Sequence, residues 1–200
     1  TEGVGAVEAS VDGTQWTGVA SGVSALGGVA GFAGLVEGAF TLRLRDADAA
    51  GNVGQTQAGL VKDTVAPAGY GVSVDAAVVS GANQSGVTFT LTGGEAGTVC
   101  AYEVRDGAAG AVSGSFAVAG SPQTGPALDL SGLADGLLTV SVLLRDSAGN
   151  AGAAASDEVT KDTVAPGLAI VAPAAGTSVN GGAVLTFTTE GVGAVEASVD

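Results

Sequence analysis

The twelve residues Thr1–Asp12, TEGVGAVEASVD, occur again without change at 189–200, 188 residues further on. Inside that long period lies a looser one. KDTVAP at 62–67 returns at 161–166, 99 residues later, and the pentapeptide D-x-A-G-N stands at 48–52 and at 146–150, 98 residues apart. Two independent motifs that agree to within one residue leave little room for chance. Such a chain is confined to modular architectures, in which one folding unit is used again and again. At about 90–100 residues each unit is long enough to close its own core, unlike the short repeats of a solenoid.

Cutting after each KDTVAP gives a complete unit at 68–166. Before it lies 1–67, a unit of a second, shorter kind without its first strands. After it lies 167–200, which reads as the opening strands of the next unit of that shorter kind. The implied order is an alternation of two unit types.

Within 68–166 the apolar residues alternate with period 2, the pattern of strands buried on one face. Val72 and Val74 open the unit, and Val87, Phe89 and Leu91 then alternate with threonines. Cys100, Tyr102 and Val104 lead to a turn at Asp106-Gly107, followed by Val112, Phe116 and Val118 and then Leu128 and Leu130. Leu138, Val140, Val142 and Leu144 form the strongest strand, and a last one ends at Lys161. The shorter unit follows the same plan. Leu185 and Phe187 mark its second strand, Val7, Ala9 and Val11 its third, and Asp12-Gly13 a hairpin turn with Trp16 on the strand beyond. Phe40, Leu42 and Leu44 align with Leu138, Val140 and Val142. About seven strands per unit, with turns every 8–12 residues, predict an all-β antiparallel sandwich.

Composition narrows the function. Six Lys and Arg face twenty Asp and Glu, a formal net charge of −14, which repels phosphate backbones and argues against nucleic-acid partners. No apolar run approaches the length of a membrane-spanning helix. Histidine is absent and Cys100 is the single cysteine, so Ser-His-Asp and Cys-His nucleophile systems, His-based zinc sites and intrachain disulfides are all excluded. Catalysis would have to rest on paired carboxylates, as in glycoside hydrolysis. Nothing separates such a pair from the turn acids, and the chain reads as non-enzymatic.

An acidic-Gly turn (Glu37-Gly38, Asp135-Gly136), an alternating strand, D-x-A-G-N, a final strand and then D-T-V-A-P (63–67, 162–166) resemble the bacterial immunoglobulin-like repeats of giant surface adhesins. The resemblance covers essentially the whole chain. It implies tandem immunoglobulin-like β-sandwich domains in a secreted or cell-surface bacterial protein. These would serve as a structural array that spaces a terminal binding domain or builds an extracellular fibre. The implied partners are neighbouring repeats of the same chain, and other copies where a filament forms. In that family some members bind calcium at domain junctions. An alternative from a different class is that the modules themselves bind a glycan or host protein, for which the lone Trp16 is the natural stacking surface.

The topology of such a sandwich makes the calcium reading concrete. The linker entering a unit meets that unit's own B–C and F–G loops. For 68–166 this would gather Asp63, Glu95, Asp146 and Asn150. For the shorter unit it would gather Asp162, Glu190 (the copy of Glu2) and the next Asp48 and Asn52. Asp46 adds a carboxylate at an inward-facing strand end, where Leu144 stands in the other unit. Two or three carboxylates with carbonyl and amide oxygens suit Ca²⁺, which takes 6–8 oxygen ligands. The plainer expectation is that D-x-A-G-N is a turn, with Asp capping it and Gly in the left-handed region. Asp12, Asp75, Asp106 and Asp129 are read as solvated turn or edge residues.

Overall fold

The structure is a computed structural model that describes residues 7–20, 25–191 and 193–198. Its strands in chain order are β1 (Glu8–Ser10), β2 (Thr17–Gly18), β3 (Gly38–Ala47), β4 (Val53–Lys62), β5 (Gly71–Val74), β6 (Phe89–Thr92) and β7 (Val99–Arg105). They continue as β8 (Ala111–Ala117), β9 (Gln123–Thr124), β10 (Gly136–Arg145), β11 (Ala155–Lys161), β12 (Leu168–Ala172) and β13 (Thr186–Thr189). Two single 3₁₀ turns, Leu26–Gly28 and Phe32–Gly34, are the helical elements among the described residues.

Residues 71–161 form a sandwich of two antiparallel sheets, with strand orders β5-β6-β9 and β11-β10-β7-β8. The alternation seen in the sequence decides which face of each strand is inside. Along β10, Leu138, Val140, Val142 and Leu144 are buried, and the intervening residues are partly exposed. They meet Phe89, Leu91, Cys100, Val104, Leu128 and Leu130 in a single core. Each large side chain removed from water there contributes about 2 kcal/mol. The two sheets are stitched along one edge by Val79, whose N–H donates to Thr160 O at 2.9 Å and whose carbonyl accepts Asp162 N–H at 2.8 Å. Three strands on four, all antiparallel within their sheets, make an immunoglobulin-like sandwich.

One expected strand takes a different form. Leu128 pairs with Val87 through an isolated bridge, and the short strand of this region is Gln123–Thr124. Gly125-Pro126 intervenes, and proline has no N–H to continue a ladder. Trp16 likewise lies immediately before β2, and not on it.

Residues 7–62 form a four-stranded sheet of order β2-β1-β3-β4. Its long hairpin copies β10–β11 in register: Gly38 opposes Lys62 as Gly136 opposes Lys161. β12 and β13 form a separate two-stranded sheet.

The direction of the chain through the sandwich fixes where its neighbours attach. β10 runs up to the 146–153 loop and β11 returns, so that Lys161 lies beside Gly136. The incoming linker contacts the 146–153 loop, as described below, and the outgoing one leaves from the opposite end. A ten-residue strand, about 33 Å, separates the two ends.

Candidate functional site

The recurring motifs converge on the segment between β4 and β5. Asp146 and Asn150 close a tight loop: Asn150 N–H donates to Asp146 Oδ1 at 2.9 Å, and Asp146 N–H donates to the Asn150 carbonyl at 3.2 Å. Gly149, at φ 94°, supplies the left-handed residue this turn requires. Asp48 and Asn52 repeat these bonds at 2.8 and 3.0 Å, with Gly51 at φ 87°. The side-chain amides of Asn150 and Asn52 donate to Asp146 and Asp48 and hold those carboxyls below the usual range.

The amide of Asn150 also reaches outward. Its Nδ2 donates to Asp63 O at 3.1 Å and approaches Asp63 Oδ1 at 3.4 Å. Two residues on, a Cβ at Gly152 would collide with the Pro67 carbonyl and the Tyr70 ring, so only glycine admits the linker here. The Tyr70 hydroxyl donates to Ala153 O and accepts Leu144 N–H at 3.2 Å. Asp63, Pro67 and Tyr70 thus lie along the 146–153 loop in order.

The next residue is held from the other side. Thr64 N–H donates to Glu37 Oε2 at 2.9 Å, and its hydroxyl donates to Glu37 Oε1 at 2.7 Å. Glu37 sits just before β3, and these bonds, the hydroxyl first, lower its pKa. The second linker repeats the clamp, with Thr163 N–H and hydroxyl both 2.9 Å from Asp135 Oδ2. That lowers the Asp135 pKa, the backbone N–H acting most strongly.

Beneath each clamp lies a buried lysine. The Lys161 side chain is 3% exposed, and its ammonium donates to the carbonyls of Leu130, Ser131 and Leu133. Three acceptors match its three donors, and Asp135 lies 4.0 Å away. Lys62 repeats the device with Ala33 O at 3.4 Å, Leu35 O at 2.6 Å and Glu37 at 3.5 Å. Sequence reasoning did not assign Glu37, Lys62 or Thr64, nor Asp135, Lys161 or Thr163, to a site. The signal was present, because the members of each pair stand 98 or 99 residues apart.

The remaining nominated residues are placed as follows. Asp63, Asp146 and Asn150 come together. The Glu95 carbonyl accepts Thr98 N–H and hydroxyl, and no group of three or more His, Cys, Asp or Glu placed to hold a metal occurs among the described residues. Asp162 Oδ1 accepts Val164 N–H at 3.0 Å, while a Glu190 carboxylate oxygen accepts Gly167 N–H at 3.2 Å. Asp46 lines a shallow cleft with Val7, Leu44, Gly54 and Thr56, and its buried Oδ1 has no hydrogen-bond partner among the described residues. Glu2 lies outside the described residues. Trp16 is half-buried, with the Arg45 guanidinium 4.1 Å over its ring and Glu8 bound to that arginine at 2.7 Å. Asp12 accepts the N–H groups of Gln15 and Thr14, which pull its pKa to about 2, and Asp106 reaches across to Ala134 N–H.

No protein-family model and no curated protein matches the chain. Among solved structures, it is similar to the tetra-tandem repeat in the extending region of a large adhesion protein, at 24% identity and TM-score 0.41, over 83% of this chain and 43% of that one. It is similar to fibronectin(III)-like modules of Clostridium thermocellum CbhA, at 17% identity and TM-score 0.49, over 82% and 80%. It is also similar to a Ca²⁺-stabilized adhesin with which an Antarctic bacterium binds ice, at 22% identity and TM-score 0.40, over 86% and 44%. The chain spans under half the length of both adhesin structures. The strand order of residues 71–161 is what makes that stretch immunoglobulin-like.

Proposed function

We propose that this chain is a stretch of a structural repeat array in a secreted or surface-exposed bacterial adhesin, in which the sandwiches act as spacers and the linkers as stiff joints. One observation carries the reading: consecutive linker residues are held by opposite units, Asp63 by Asn150 and Thr64 by Glu37. A linker with hydrogen bonds to both sides has few conformations left, and Pro67 fixes a further dihedral. The high acidic charge then acts as the solvating coat of an extended extracellular polymer. Small-angle scattering of the 200-residue chain tests this: Thr64→Val with Asn150→Ala should broaden the distribution of inter-unit distances. An unchanged profile would reduce the linker to a passive tether.

Calcium at this joint is the finer reading. Asp63 and Asp146 present carboxylate oxygens on either side of the Asn150 amide. As it stands, that amide turns its Nδ2 to both, so a cation there requires the amide flipped to offer Oδ1. Direct binding of glycan or host protein by the modules has less support, because Arg45 covers one face of Trp16.

A further inference from the structure

Four strands stand at sheet edges in the sandwich of residues 71–161: β5, β9, β11 and β8. An edge offers unpaired backbone groups to any other strand, and three of these four are protected. β5 is closed against β11, with Val79 bridged to Lys161 and Val74 N–H bound to Asp157 Oδ2 at 2.8 Å. β9 has two residues, with Pro122 before them and Pro126 close behind. β11 carries Asp157 and Glu158. β8 has none of these devices. Its seven residues, AVSGSFA, hold no charge and no proline, and they pair with β7 in one unbroken register.

Which backbone groups β8 leaves open follows from the bonds at its ends. Val118 N–H donates to Thr98 O at 2.9 Å, and Asp106 N–H donates to Gly110 O at 3.4 Å. Antiparallel pairing alternates, so the even-numbered residues bond β7, and Ala111, Ser113, Ser115 and Ala117 turn their N–H and C=O outward. The Ala117 carbonyl accepts Gln123 Nε2 at 3.1 Å, and no strand of the sheet lies beyond β8. The strand also reads nearly the same in both directions about Gly114. Ala111 mirrors Ala117, Ser113 mirrors Ser115, and Val112 mirrors Phe116.

We infer that β8 of one copy pairs antiparallel with β8 of a second copy, about a two-fold axis at Gly114. In that register Ser113 opposes Ser115 and Ala111 opposes Ala117, so each outward N–H meets an outward carbonyl. Val112 and Phe116, half-buried at the rim of the core, oppose each other as a non-hydrogen-bonded pair, the kind with the closer side chains. Gly114 leaves the axis clear, because the Tyr102 ring lies where its Cβ would stand. The charges nearest the edge, Glu103 and Arg105, bind each other at 2.7 Å, so two acidic chains can approach here. The contact is isologous and stops at two copies. It sets the two chains running in opposite directions, the orientation in which chains from facing surfaces meet. The pairing itself requires neither the stiff joint nor a surface location.

Sedimentation of the 200-residue chain over a range of concentrations tests it, together with a cysteine test of register. Mass should rise from one chain to two. Ser115→Pro should return it to one, because proline deletes an outward N–H and leaves the β7 ladder intact. Mixing Ser113→Cys with Ser115→Cys chains under oxidation should give several-fold more disulfide dimer than either variant alone. Opposed residues about 5.5 Å apart fit a disulfide. Two copies of one position stand diagonally, about 7–8 Å apart, and do not. That ratio keeps the test valid even if Ser115→Pro perturbs folding. A monomer at every concentration overturns the proposal and leaves the edge to an extended segment of another protein. Equal cross-linking in the mixture and in the single variants overturns it too, since that would be chance collision or a different face.

Discussion

The side-chain amide of Asn150 donates to the backbone carbonyl of Asp63 at 3.1 Å, joining residues 87 positions apart in sequence. The bond ties the turn after β10 to the linker that enters the sandwich. Asn150→Ala removes it together with the bond to Asp146 Oδ2. The core is untouched, so the melting midpoint should move little. Limited proteolysis should cut several-fold faster within 63–67, and an unchanged cleavage rate would count against the tie.

Gly152→Ala attacks the same joint by bulk. The added methyl would meet the Pro67 carbonyl, a backbone atom that cannot turn aside. Overpacking of this kind costs about 1–3 kcal/mol. Loss of the Tyr70–Ala153 bond should follow, read as faster exchange of the Leu144 amide that the Tyr70 hydroxyl accepts.

Lys161→Met should strongly destabilise the 68–166 unit. The aliphatic stem is kept, but the carbonyls of Leu130, Ser131 and Leu133 lose their shared donor inside the protein. A loss of about 3 kcal/mol is expected, read as a lower denaturant midpoint. A neutral result would mean that water reaches these carbonyls.

Acid should loosen the joints before it dissolves the cores. Glu37, Asp135 and Asp146 have folded pKa values below their ordinary ones, owing to bonds from Thr64, Thr163 and Asn150. Each contribution is complete above the unfolded carboxylate range, about pH 4, and is lost as pH falls through the lower folded value. Proteolytic susceptibility of the linkers should be flat from pH 7 to about 5 and rise below about 4. A rise that begins near neutrality would point to other groups.

If calcium occupies the joint, adding it should raise the melting midpoint by mass action, and Asp146→Asn should abolish the rise. Identical melts in calcium and in EGTA would leave the Asn150 amide as the whole of the tie.

Much of this molecule was legible in the chain. The repeat offsets located the units, and period-2 alternation identified Phe89, Leu91, Val140 and Val142 as inward residues, because a strand's geometry permits no other reading once one face is buried. Local turn chemistry made D-x-A-G-N a closed loop, since its Asp, Gly and Asn act within five residues. The tertiary structure decided the rest. Sandwich topology already brought Asp63 to the 146–150 loop, and the folded structure added which atoms meet, the Asn150 amide on the Asp63 carbonyl. That Gly152 must be small beneath Pro67, and that Lys161 finds three carbonyls in the 130–133 turn, depend on segments far apart in the chain. The recurrence of Lys62 as Lys161 shows that both units use the residue, but it does not say which carbonyls the ammonium meets. Those contacts are set by which strands pair and in what register, and only the folded sheets fix that.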